Sequence, residues 1–142
     1  MDELPIRLRF VKALPADDKT GNVPAEHYQI IEQKSRQEAG TIRSRLSNRE
    51  DILRYAGHIG YGIHETYRGH HYAASACLAL KPIALAHRFS ELWITCDPDN
   101  RPSRRTCERI GAELIEIVDI PEHIDMYQDG ERQKCRYLWE LG

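Results

Sequence analysis

One stretch, Tyr55 to Phe89, constrains the fold more than any other part of the chain. It starts in a glycine-laced apolar segment, Gly57-His58-Ile59-Gly60-Tyr61-Gly62-Ile63. It then passes through a short basic turn, Arg68-Gly69-His70-His71, into the alanine-rich run Ala73 to Phe89. Alternation puts Ile59, Tyr61 and Ile63 on one side and His58, Gly60 and Gly62 on the other, so Tyr55–Ile63 reads as a strand with one nearly bare face. Glycines inside a strand point to a bulge or to close approach of another backbone. Ala73–Phe89 is apolar on most sides and reads as a helix buried against a sheet, kinked at Pro82. The turn between them joins glycine, which lets a ligand approach the backbone, to a helix start with unpaired N–H groups. That combination suits a phosphate-bearing ligand.

The flanks supply the remaining elements. Ile6–Ala13 alternates as a strand, and Leu14–Ala25, with Pro15, Gly21, Asn22 and Pro24, is a loop. Glu26–Lys34 and Ala39–Leu46 read as a hairpin, followed by a polar segment, Ser47–Arg54, with a helical turn. Downstream come a short apolar strand, Glu91–Thr95, and a turn, Cys96–Asn100. A helix then runs from about Pro102 or Ser103 to Ile110 and is stopped by Gly111. Ala112–Val118 and Gln133–Leu141 are strands, separated by the long acidic loop Asp119–Glu131. The strand-helix-strand centre implies a parallel pair with a right-handed crossover, and the outer strands imply antiparallel additions. Residues 1–142 are expected to form one domain of mixed α/β class with helices on its faces.

Composition narrows the function. A net charge of −2 gives no general case for nucleic acid or an anionic membrane. No run of ~18 apolar residues predicts a membrane span, and Met1–Pro5 does not read as a signal peptide. Cys77, Cys96, Cys107 and Cys135 contain no C-x-x-C pair, so they read as reduced thiols of a cytoplasmic protein.

The run Ile63 to Ala73 resembles the acetyl-CoA pyrophosphate loop of the GNAT superfamily of N-acetyltransferases, Gln/Arg-x-x-Gly-x-Gly/Ala after the fourth strand. Arg68 stands at its first position and Ala73 at its last, while His71 occupies the place of the middle glycine. Asn100, Ser103, Cys107 and Gly111-Ala112 resemble the superfamily's Asn-x-x-Ser/Ala-x-x-x-Tyr-x-x-x-Gly-Phe helix, with Cys107 where tyrosine is usual. The resemblance covers about Tyr55 to Leu141, and its wording is similar to a small bacterial-type subgroup. It implies a GNAT-like, mostly antiparallel sheet with flanking helices and a splayed parallel pair, Tyr55–Ile63 beside Glu91–Thr95. Only the loop-like Leu14–His27 lies where two acceptor-walling helices usually sit, so those helices are expected to be reduced or absent.

The resemblance further implies an acetyl-CoA-dependent N-acetyltransferase acting on a small-molecule or peptide amine. Cofactor binding falls to Ile63, Arg68, Gly69, His70, His71, Tyr72, Ala73, Ala74, Asn100 and Ser103. The amine must lose a proton and the leaving thiolate must gain one. His58 is either the base or a satisfied structural histidine. Cys107, at the usual acid position, is either a weak proton donor or a buried small residue, with Tyr61, Tyr67, Tyr127 and water as the other donors. The acidic loop would favour a cationic acceptor if it faces the cleft, and is otherwise a solvated surface. Asn100 either binds the cofactor arm or caps its helix. Arg104 and Arg105 either reach a cofactor phosphate or stand in solvent. The departures at His71 and Cys107 keep a non-catalytic CoA-binding or interaction domain as the alternative function. His58, His64, His70 and His71 lack the usual metal-ligand spacing, so no metal is expected. A two-fold homodimer is the assembly that general frequency favours.

Overall fold

The computed structural model describes residues 3–142 and resolves the chain into two antiparallel sheets. The first has strand order β1-β2-β3-β4, from β1 (Ile6–Leu14), β2 (Ala25–Glu32), β3 (Glu38–Arg45) and β4 (Ile59–Ile63). The second has order β5-β7-β6, from β5 (Glu91–Cys96), β6 (Glu113–Asp119) and β7 (Gln133–Glu140). Helix α1 (Tyr72–Ala86) links the sheets, α2 (Arg101–Arg109) follows β5, and a single turn, α3 (Asp125–Gln128), lies in the acidic loop.

Alternation explains the inner face of the first sheet. Ile30, Ile42, Ile59 and Ile6 are buried there and pack with Ala76, Cys77 and Leu80 of α1 and with Leu92 and Ile94 of β5. Burying this apolar surface is the main stabilising term, at about 25 cal/mol per Å². Helix α1 runs without a break through Pro82, where a kink was expected. The carbonyl that loses its donor belongs to Leu78, one turn earlier. Leu78 and Pro82 are both exposed, so that carbonyl faces water. Helix α2 ends as its glycine predicts: Gly111 has φ +85°, and Ala112 N–H returns to the Cys107 carbonyl at 2.9 Å.

Three expectations differ from what is observed. Tyr55 and Ala56 lie in a π-helical turn, Ile52–Ala56, instead of opening the fourth strand. Gly57 closes that turn with φ +74° and an N–H bond to the Ile52 carbonyl at 2.7 Å. Strand β4 carries no bulge, since it pairs with β3 in unbroken register from Ser44↔Ile59 to Gly40↔Ile63. The close approach falls on Gly40, where a Cβ would sit 2.1 Å from the Gly62 carbonyl oxygen.

The third difference is that no parallel ladder joins β4 to β5 among the described residues; every ladder is antiparallel. The sheets touch where the chain enters β4. His58 N–H bonds the Trp93 carbonyl at 2.8 Å, and Trp93 N–H bonds the His58 ring Nδ1 at 2.8 Å. The His58 carbonyl already accepts from Arg45 N–H at 2.7 Å. Beyond that point the strands have no means of zipping.

Candidate active site

A cleft of about 810 Å³ opens beyond the His58–Trp93 junction. Strand β4 forms one wall, the end of β5 and the start of α2 form the other, and the loop into α1 closes one end. In the β3–β4 ladder, His64 N–H bonds Ala39 and Arg45 N–H bonds His58. Antiparallel alternation therefore turns the main-chain groups of Ile59, Tyr61 and Ile63 to the free edge. Arg68 Nε bonds the Ile63 carbonyl at 3.2 Å and fixes the guanidinium at the strand end.

The loop into α1 has an unusual backbone. Gly69 has φ +90°, and His71, the residue before the helix, has φ 60° and ψ 29°. This left-handed geometry is the reason a glycine suits the position, since a side chain there costs about 1–2 kcal/mol. Tyr72 anchors the helix start. It is buried, and its hydroxyl donates to Glu32 Oε2 at 2.5 Å. That bond holds the Glu32 carboxyl below the usual carboxylate range and pushes the Tyr72 hydroxyl up to about 12.

Most of the sequence-derived cofactor residues meet in this one cleft. Ile63, Arg68, Gly69 and His71 line it, followed by Tyr72, Ala73 and Ala74, with Asn100 and Ser103 across from them. His70 does not line it; its ring stacks on Tyr72 with centroids 5.3 Å apart. Asn100 caps α2, with Oδ1 accepting from Ser103 N–H at 3.2 Å. The Ser103 hydroxyl in turn pairs with Tyr61 OH at 2.7 Å across the cleft. Burial keeps the Tyr61 phenol firmly protonated.

The two sequence-derived catalytic candidates lie elsewhere. His58 is 1% exposed and does not line the cleft. With Nδ1 accepting from Trp93 N–H, its Nε2 carries the proton and donates to Asn48 Oδ1 at 2.9 Å. The Phe89 ring packs edge-on against it at 5.1 Å. Burial lowers its pKa to about 4, so it is a neutral, fully engaged imidazole. Cys107 is fully buried, and burial with the neighbouring thiols Cys96, Cys77 and Cys135 pushes its pKa strongly up. Cys77 and Cys96 rise to about 12 and 11 for the same leading reason.

Charge in the cleft is mostly positive. Arg45, Arg68, Arg105, Arg109 and Lys134 line it against Asp97 and Glu131. Lys134 bonds Glu131 at 2.6 Å and lies 3.2 Å from Asp97 Oδ1, but the latter contact lacks hydrogen-bond geometry and leaves that oxygen buried and unpartnered. Arg104 turns away, donating to the Tyr137 hydroxyl and the Pro98 carbonyl. Arg45, Arg109 and Lys134 were not singled out from sequence. Only Arg109 carried a usable signal, lying one helical turn after Arg105. No cluster of metal-ligating side chains exists among the described residues. None of their helices is long and apolar enough to cross a membrane.

Residues 9–113 match the family model described as the acetyltransferase (GNAT) domain. The chain belongs to the GNAT family. The match reaches further toward the N-terminus than the two motifs do, and it ends before β7. No curated protein matches the chain by sequence. Among solved structures, the chain is similar to a GNAT-family acetyltransferase from Bacillus anthracis, with 21% identity, TM-score 0.64, and coverage of 81% of this chain and 66% of that one. It is also similar to the ribosomal L7/L12 alpha-N-protein acetyltransferase RimL in complex with coenzyme A, with 20% identity, TM-score 0.63 and coverage of 82% and 62%. The microcin C7 self-immunity acetyltransferase MccE, in complex with acetyl-CoA and AMP, is a third, with 20% identity, TM-score 0.61 and coverage of 82% and 61%. The chain thus spans under two thirds of the length of each of these GNAT structures, and the likeness establishes the fold.

Proposed function

We propose that this GNAT domain is an acetyl-CoA-dependent N-acetyltransferase. The observation that carries the reading is the cleft itself. It joins a free strand edge, Ile59 to Ile63, to a helix start with a left-handed residue and an arginine at its mouth. The solved relatives held with coenzyme A and acetyl-CoA support the choice of cosubstrate.

The residues present fit such a molecule. The main-chain N–H groups between Gly69 and Ala74 and the dipole of α1 suit a pyrophosphate. Arg68, Arg105 and Arg109 add positive charge to the cleft. The outward main-chain groups of Tyr61 and Ile63 suit the amides of the pantetheine arm, in the manner of an added strand. The cleft between β4 and the end of β5 gives that arm its space.

In the transfer, the amine nitrogen forms a bond to the thioester carbonyl carbon, the C–S bond breaks, and the thiolate takes up a proton. Tyr61 is the candidate donor. Its phenol lines the cleft, is held by Ser103 and stays protonated. It stands in for the phenol that the family pattern places at Cys107. His58 has no free ring nitrogen for base work, so the amine is expected to lose its proton to water. The short loop between β1 and β2, helix-free among the described residues, leaves the acceptor side open.

Calorimetry with acetyl-CoA, followed by thiol-release assays across an amine panel, tests this reading. Micromolar binding and amine-dependent thiol release are expected. Tyr61→Phe is expected to lower kcat by about 10²-fold with little change in cofactor affinity. No binding at millimolar acetyl-CoA overturns the reading, and binding without release on any amine supports the non-catalytic alternative.

A further inference from the structure

The outer face of the first sheet carries a second groove, of about 500 Å³, running over Gly60 and Gly62 on the side away from α1. Gly60 and Gly62 also line the main cleft, so only the β4 backbone separates the two spaces. Two guanidinium groups converge on Gly60, Arg43 lining this groove and Arg45 lining the main cleft. Arg43 Nε and one of its terminal nitrogens lie 3.5 Å from where a Gly60 Cβ would sit, and an Arg45 terminal nitrogen lies 3.6 Å from the same point.

No carboxylate within 4.0 Å neutralises either arginine among the described residues. Arg45 is held in place by the Ala56 and Gly57 carbonyls at 3.2 and 3.0 Å. Arg43 makes no side-chain hydrogen bond there. His27, also lining the groove, has a buried Nε2 with no partner, and burial together with Arg43, Lys12 and Arg45 lowers its pKa. Glu38 also lines the groove, but its carboxylate is engaged by Gln29 and His64, so the two guanidinium groups repel, and that repulsion is relieved when an anion sits between them.

We infer that Arg43 and Arg45 form an oxyanion subsite for the acceptor, so that the favoured substrate is an amine carried on a molecule with a nearby carboxylate. This rests on the acetyltransferase reading above and adds the substrate class to it. Arg45 lines the main cleft and Arg43 the groove, and both approach Gly60. A carboxylate seated over Gly60 therefore leaves its amine only the thickness of one strand from the free edge of β4. The anion takes no part in bond making; it orients the amine. The acidic loop gives no competing preference for a cationic acceptor. Glu131, its cleft-lining acid, is paired with Lys134.

Two measurements on the full chain test the proposal. The first is NMR of the arginine Nε–Hε signals, titrated with glutarate and with glutaramide in the absence of cofactor. The second is initial rates with matched tetrapeptide acceptors bearing glutamate or glutamine at positions two to four. Glutarate is expected to shift the Arg43 and Arg45 signals and to compete with the acidic peptide, while glutaramide does neither. The acidic peptide is expected to show a KM about 10-fold or more lower. Arg43→Gln should erase that preference while leaving acetyl-CoA affinity unchanged by calorimetry. Equal KM values, a preference that survives Arg43→Gln, or glutarate binding without competition would each overturn the proposal. Loss of the parent reading looks different: acetyl-CoA fails to bind while the glutarate titration stands unaffected.

Discussion

Strands β4 and β5 are joined at one end and apart at the other, and the two ends follow opposite rules. At the closed end, His58 is buried with both ring nitrogens engaged, Gly57 backs onto the Trp93–Thr95 main chain, and Thr95 Oγ1 donates to the Tyr55 carbonyl at 2.7 Å. At the open end, main-chain groups of Ile59 and Tyr61 lie on the free strand edge, His71 is in a left-handed conformation, and Arg105 and Arg109 line the cleft. A saturated hydrogen-bond network fixes geometry and resists change. An unsaturated one stores binding capacity. The open mouth begins where the closed hinge ends, because the His58 carbonyl is already taken by Arg45 N–H.

The largest effect should come from breaking the hinge. His58→Ala removes two hydrogen bonds and leaves a cavity, for an expected loss of about 3–5 kcal/mol by urea denaturation. The wild-type protein should also lose stability in acid. The folded pKa of His58 is about 4 against an unfolded value near 6.5, so the unfolded chain binds the extra proton first. The contribution is complete above pH ~6.5 and is lost as pH falls toward 4, on the order of 3 kcal/mol in all. His58→Gln cannot titrate and should flatten that slope. If His58 is a strut, the glutamine variant should keep its turnover per folded molecule within a few fold. A drop of 10²-fold with the melting temperature retained would instead make it a base.

Gly40 tests the same hinge from the neighbouring strand. A methyl group there meets the Gly62 carbonyl at 2.1 Å, and backbone has to move. Gly40→Ala is expected to cost about 2–3 kcal/mol and to weaken cofactor binding by distorting β4. Gly62→Ala is the matched control. Nothing lies within 4 Å of its Cβ position, so stability should change by less than about 0.5 kcal/mol. Thermal denaturation of the pair separates a glycine required by crowding from one that leaves space.

These contrasts show what a linear reading could reach. Strand β3 was legible because period-two alternation survives in Glu38–Arg45, where Ile42 and Ser44 are buried and Thr41 and Arg43 exposed. The cleft lining was legible because most of it is contiguous from Ile63 to Ala74, and the match to residues 9–113 agrees on the family. The hinge was not. It depends on a side chain meeting a backbone 35 residues away, and no local pattern encodes that. For the same reason the π turn was missed. Gly57 closes it through a bond to Ile52, where alternation alone suggests an extended chain. Arg43 and Arg45 looked like ordinary solvent-side residues of a strand until pairing placed bare Gly60 beneath them.

At the open end, effects should fall on binding and spare the fold. Replacing Arg105 and Arg109 together by alanine removes two charges from the mouth. Acetyl-CoA affinity should weaken about 10- to 100-fold, with a shallower salt dependence and a melting temperature within about 2 °C of wild type. An unchanged dissociation constant would move the phosphates away from α2.

The smallest expected effect is at His71, where the two rules meet in one residue. Its left-handed backbone is strained, so His71→Gly should relieve about 1–2 kcal/mol in the folded state. The added freedom of glycine in the unfolded chain takes back part of this, leaving a net gain of about 0.5–1 kcal/mol. The side chain is exposed and lines the cleft, so the imidazole is either a bystander or a phosphate ligand. If it is a bystander, cofactor affinity in the glycine variant equals or exceeds the wild-type value. If it donates to phosphate, affinity falls about 10-fold as stability rises. A rise in stability with no loss of affinity would show that the chain tolerates histidine here without using it, and that the open end binds through its backbone and its arginines.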